Sequence, residues 1–141
     1  MTTHALPVEG SCLCGEVRFR VTGRFITAGY CHCTHCQKRT GTGASIQGRV
    51  ERTDLELQAG AELLKAFVPP AGGRPKVFCT GCGSHLFSGD LSADAEVAIR
   101  LGAFDGPIDV TPAFHMFVRS APAWAPVPDD GLVRYDTAPA A

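Results

Sequence analysis

The stretch Cys31-His32-Cys33-Thr34-His35-Cys36 places three thiols and two imidazoles in six consecutive positions. Such side chains ligate soft and borderline metals, attack electrophiles or pair as disulfides. Four more cysteines stand in two pairs, Cys12-x-Cys14 and Cys79-x-x-Cys82. Seven is an odd count, so any disulfide scheme leaves at least one thiol over. The opening residues Met1–Pro7 lack the basic start and apolar stretch of a secretion signal. A reducing, cytoplasmic setting is therefore expected, where clustered cysteines bind metal or do catalysis rather than cross-link.

Two residues between cysteines in a tight turn let both thiolates reach one ion. In "CTGCGS" (79–84), Thr80 and Gly81 form that turn and Gly83 permits the positive φ often needed after the second ligand. A Cys-x-Cys pair on extended chain also puts both sulfurs on one face. Cys12, Cys14, Cys79 and Cys82 thus make a closed four-sulfur set, the usual form of structural zinc. It would tie chain near the N-terminus to chain more than sixty residues later. Cys31, Cys33 and Cys36 are left as a three-ligand set with the fourth position open, the pattern of catalytic zinc. Two zinc ions per chain are expected.

Competing readings stand beside these. Cys79-x-x-Cys82 could be a redox pair, though its flanks lack a βαβ pattern. The 31–36 cluster could be closed by His32 or His35, or could be a metal-free group of reactive thiols.

The elements that must position these groups are strands. Glu16–Thr22 alternates, with Val17, Phe19 and Val21 on one face and Glu16, Arg18 and Arg20 on the other. Further strands are predicted at 25–30, 44–50, 55–58, 63–68, 76–79, 85–88, 95–101 and 114–119. "PPAGGRP" (69–75) and "FDGPIDVTP" (104–112) read as turns. No helical periodicity is evident beyond one turn after Cys36. The fold class is mainly β, a single zinc-stabilised domain of short antiparallel strands over 1–141. Its core spans about 8–136, and residues 1–7 and 136–141 are expected to fray. The 141 residues suffice for one core, and 45% hydrophobic residues argue against disorder. The net charge of −1 gives no footprint for nucleic acid, and no apolar run approaches a membrane span. Short strands leave edges that could pair in a homodimer.

In order along the chain, "GSCLCGEVRFRV" (10–21), "CHCTHCQKRTG" (31–41) and "FCTGCGSHLF" (78–87) resemble the cysteine motifs of the glutathione-dependent formaldehyde-activating enzyme family, whose domain is shared with centromere protein V. "LGAFD" (101–105), "HMFVRSAPAW" (115–124) and "DDGL" (129–132) resemble its C-terminal landmarks. The resemblance covers about residues 8–136. It implies a tent-like β fold. It assigns Cys12, Cys14, Cys79 and Cys82 to a structural zinc, and Cys31, Cys33 and Cys36 to a catalytic one. It implies a carbon–sulfur lyase-type activity that condenses formaldehyde with glutathione to S-hydroxymethylglutathione, or the reverse. A non-catalytic zinc-binding interaction module is the alternative.

For that chemistry His32, His35 and His115 are the candidate proton donors. Lys38, Arg39 and Arg119 are candidate cations for the carboxylates of glutathione, with solvated surface positions as the competing reading. Trp124 is expected to pack on the core.

Overall fold

A computed structural model describes residues 5–139 of the chain. Eleven strands and one α-helix run in the order β1 (Val8–Ser11), β2 (Arg18–Val21), β3 (Thr27–Cys31), α1 (Thr34–Thr40), β4 (Ser45–Glu51), β5 (Leu55–Ala59), β6 (Leu64–Phe67), β7 (Lys76–Cys79), β8 (His85–Ser88), β9 (Glu96–Arg100), β10 (Phe114–Met116) and β11 (Val133–Arg134). They form a three-stranded sheet ordered β1-β2-β5 and an eight-stranded sheet ordered β11-β10-β3-β4-β9-β8-β7-β6. The protein is mainly β, as the alternating strands indicate.

The alternation of the second strand has the predicted consequence. Val17, Phe19 and Val21 are fully buried, while Arg18 points outward. Phe19 meets Phe87 of the large sheet and Phe104 edge-on, with ring centroids 5.2 and 5.5 Å apart. Val50, Leu86, Val97 and Ile99 come from the other sheet to close the same core. Burying such side chains contributes roughly 1.5–3 kcal/mol each, and this packing holds the two sheets together.

Several boundaries differ from expectation, each for a tertiary reason. Expected as purely antiparallel, the large sheet is mixed. Strand β10 runs parallel to both β3 and β11, pairing His115 with Tyr30 and Arg134. The predicted 114–119 strand stops at Met116, because Phe117 takes a left-handed conformation and a 3₁₀ turn follows at Val118–Ser120. The helix is longer than one turn. Only Cys36 among its residues is buried, so no apolar stripe advertises it. Its ends are set locally, by the Cys33 sulfur accepting from the Cys36 N–H and by Gly41 in the left-handed region.

The expected fraying at the termini falls in part on residues 1–4 and 140–141, outside the described residues. Near the C-terminal end the Thr137 carbonyl accepts from Phe117 N–H at 3.1 Å, and Tyr135 N–H donates to the His115 carbonyl at 2.8 Å. Trp124 is also a correction. It is 69% exposed, held outside the core in a proline-flanked turn that joins no strand.

Candidate functional site

The first cysteine group joins the two sheets. Cys12 and Cys14 follow β1, and Cys79 and Cys82 flank the turn between β7 and β8. All four sulfurs lie within 4.8 Å of one another. Cys12 and Cys14 are 3.4 Å apart, and Cys14 and Cys79 are 3.9 Å apart. Tetrahedral bonds of about 2.3 Å place sulfurs about 3.8 Å from each other, so the donor set fits zinc. Backbone N–H groups already point at two of the sulfurs, Val17 at Cys12 and Gly81 at Cys79, both at 3.3 Å. The Ser84 hydroxyl lies 3.2 Å from Cys82, and hydrogen bonding from it draws that thiol down to about 5. Gly83 has φ of 78°, as the turn requires.

The second group sits where β3 runs into α1. The sulfurs of Cys31, Cys33 and Cys36 also lie within 4.8 Å of one another, and no histidine nitrogen joins them. Hydrogen bonds from Cys31 and Cys33 hold the Cys36 thiol far below its ordinary value, while the same contacts raise Cys31. A cluster with no cation shares protons in this way, and a divalent ion converts every donor to thiolate. Three sulfurs are offered where tetrahedral zinc takes four donors. Gln37 pins the loop by donating to the carbonyls of His32 at 2.8 Å and Ser120 at 2.9 Å. Ser45 Oγ lies 3.1 Å from Cys36 Sγ and 3.0 Å from Gln47 Oε1, so its one proton serves either acceptor.

A cavity of about 160 Å³ opens beside the three sulfurs, lined by Cys31, Cys33 and Cys36 themselves. A more open hollow of about 660 Å³ reaches Cys12 and Ser45 but touches none of these sulfurs. The predicted histidines separate here. His35 is exposed and lines the small cavity. His32 and His115 do not line it. They are buried behind the loop and bonded to each other, His32 Nε2 to His115 Nδ1 at 2.9 Å.

His115 Nε2 meets Asp130 Oδ2 at 2.8 Å, and Tyr30 stacks on the His115 ring with centroids 4.7 Å apart. The carboxylate only accepts, so Nε2 of His115 carries a proton, and in the neutral imidazole its Nδ1 accepts from Nε2–H of His32. His32 Nδ1 is then a lone pair, and it has no hydrogen-bond partner. Burial lowers the His32 pKa, and the neighbouring His115 lowers it further.

Sequence reasoning gave Asp130 no role, although it lies in the quoted "DDGL". The hydrogen bond from His115 holds its carboxyl below the usual carboxylate range. A depressed folded pKa stabilises the fold above the unfolded value of about 3.9, and that contribution disappears as pH falls through the folded value. Asp130→Asn should therefore unfold at lower temperature than the parent at neutral pH, with the gap closing below about pH 4. Melting both proteins side by side cancels effects they share, such as loss of metal in acid. A gap that stays constant into acid would rule out the contact as its source.

Of the three cations expected to meet a ligand, only Arg39 lines the cavity, while Lys38 and Arg119 are exposed at the surface away from it. Sequence reasoning passed over Lys76 and Arg100, which do line it. Lys76 opens the strand "KVFC" and Arg100 closes the strand "EVAIR", and each reads there as a solvated flank.

A four-sulfur group joining two sheets, with a three-sulfur group at a lined cavity, defines a β protein with two cysteine clusters that could each hold a metal ion. Residues 7–120 match the pattern of the glutathione-dependent formaldehyde-activating enzyme family, and the chain belongs to that family. It is 28% identical over 126 residues to a Halomonas elongata protein provisionally named a glutathione-dependent formaldehyde-activating enzyme, spanning 85% of this chain and 80% of that one. A crystal structure of a Rhodobacter sphaeroides protein shares the fold, with a TM-score of 0.59 at 23% identity over 90% of this chain and 98% of that one. Among the described residues no helix is long and apolar enough to cross a membrane.

Proposed function

We propose that the protein is a zinc-dependent enzyme of the carbon–sulfur lyase type, which joins a small aldehyde to a thiol or splits the adduct. The pair in its family's name, formaldehyde and glutathione, is the reference reaction. One observation carries this reading: three cysteine sulfurs converge at a cavity with no histidine nitrogen among them, so a fourth donor can come from a substrate. An interaction module that uses zinc only as a staple would need that position closed from within the chain.

In the forward direction a carbon–sulfur bond forms, and the thiol proton ends on the former carbonyl oxygen. Cys31, Cys33 and Cys36 would hold a zinc ion, which would supply a lowered thiol pKa and carbonyl polarisation. The protein must orient the two reactants and carry one proton. His35, exposed at the cavity, is the proposed proton carrier. His32 and His115 are proposed as positioning residues that brace the loop from behind. Arg39 is proposed to meet an anionic group of the substrate. Lys38 and Arg119, carried over from the sequence reading, serve at most the outer end of a long thiol such as glutathione. All seven thiols are unpaired, which suits a cytoplasmic setting.

Metal analysis of the purified chain is expected to give two zinc per molecule. Exchange spectroscopy by NMR on formaldehyde and glutathione is expected to show faster interconversion with protein than without it. The uncatalysed control is essential because the adduct forms spontaneously. Equal rates at every protein concentration would remove this substrate pair.

A further inference from the structure

Five cations line the 160 Å³ cavity, and no carboxylate does. Two of the five are matched: Arg49 to Glu96 at 3.8 Å and Arg74 to Asp94 at 3.3 Å. Arg39, Lys76 and Arg100 have no acidic partner among the described residues. Each is instead held by neutral groups. Lys76 Nζ donates to Ser88 Oγ at 2.7 Å, and Arg100 donates to Gln47 Oε1. The Arg39 guanidinium lies 6.0 Å from the centroid of Phe67 and 5.9 Å from that of Phe78. Its buried Nε has no hydrogen-bond partner, which native proteins rarely leave so without a reason.

The three thiolates do not account for these charges. With a divalent ion they sum to one negative charge. Three unmatched cations beside them leave the wall two charges positive. Half-buried cations without counter-ions are costly, so the arrangement is made for an anion that arrives with the ligand. The cavity is also smaller than the roughly 300–1,000 Å³ of sites that engulf drug-sized ligands. Formaldehyde carries no charge, and in glutathione the carboxylates lie several bonds beyond the sulfur.

We propose that Arg39, Lys76 and Arg100 form an anion subsite for a carboxylate placed one or two bonds from the reacting sulfur or carbonyl carbon, so that the ligand suited to this cavity is a compact mercapto or oxo acid. This rests on the reading of Cys31, Cys33 and Cys36 as a zinc site. It narrows the substrate class beyond the family's reference pair.

The test is calorimetric titration of the full chain loaded with zinc, using two size-matched pairs. Mercaptoacetate against 2-mercaptoethanol places the carboxylate on the thiol. Glyoxylate against acetaldehyde places it on the carbonyl compound. At least one acid is expected to bind about tenfold more tightly than its neutral partner, and which pair shows it identifies the source of the carboxylate. Lys76→Met and Arg39→Met should each shrink that preference to threefold or less. Affinities within about twofold in both pairs would overturn the subsite, as would a preference undiminished in both variants. If metal analysis finds one zinc rather than two, the underlying reading fails and the subsite with it. Two zinc ions with no preference for acids remove the subsite alone.

Discussion

Cys79→Ser should leave the protein unfolded or aggregated, whereas Cys33→Ser should keep the fold and lose only the second metal. Cys79 is fully buried, and its sulfur belongs to the group that fastens the turn after β7 to the end of β1. Structural zinc in a four-sulfur site is worth about 10–16 kcal/mol in small domains. The net stability of a domain is only about 5–15 kcal/mol. Losing most of that binding energy therefore consumes the whole margin.

Cys33 is half-buried and caps a helix of seven residues. Serine there removes one ligand while its hydroxyl can still accept from the Cys36 N–H and cap the helix. The loop is still held by the two Gln37 hydrogen bonds and by His32 N–H, which donates to Met116 at 3.0 Å. Circular dichroism and zinc content of the two purified variants decide the matter. If Cys33→Ser unfolds as badly as Cys79→Ser, the division into a structural and an open site loses its main support.

The second large effect is expected at His115, which is fully buried, does not line the cavity and belongs to neither cysteine group. His115→Phe keeps the ring volume and the stack on Tyr30 but removes both hydrogen bonds. Asp130 is near the surface and finds water again. His32 Nε2 is buried and does not, and such an unpaired donor costs about 1–3 kcal/mol. Because His32 lies between two ligands, the strain falls on the second group. Retention of the second zinc should drop by roughly 10–100-fold, the range seen when residues that orient metal ligands are removed. A residue that acted only in packing would lower the melting temperature and leave zinc retention unchanged. Unchanged retention would therefore reduce His115 to a packing role.

The residues that announce themselves in the sequence are those whose chemistry is local. Cysteine spacing divides the seven thiols into the two groups that the fold assembles, since two ligands on one turn need only short-range geometry. The alternation of Val17, Phe19 and Val21 marks a half-buried strand because its period belongs to the strand itself. What was not legible depends on partners far along the chain. Strands β1 and β11, with four and two residues, are too short to carry a pattern of their own. The parallel pairing of β10 with β3 follows from the route of the chain after Ile108, where no motif signals a direction. Lys76 and Arg100 belong to strands separated only by β8, and it is the order of strands that sets both against the thiols. Trp124 misleads for the opposite reason, since its hydrophobicity suggests a core position that its proline-flanked segment cannot reach.

The hydrogen bond between His32 and His115 spans 83 positions of sequence. At about 5–20 residues per second, a ribosome needs on the order of several seconds to make the chain between them. During that interval the loop bearing Cys31, Cys33 and Cys36 has emerged without its brace from β10 or the carboxylate of Asp130. Three closely spaced thiols are then open to air oxidation and to stray metals. Recombinant production should thus be sensitive to growth conditions in a way the finished protein is not. Ample zinc and a reducing medium during synthesis should matter more than the same additions after purification.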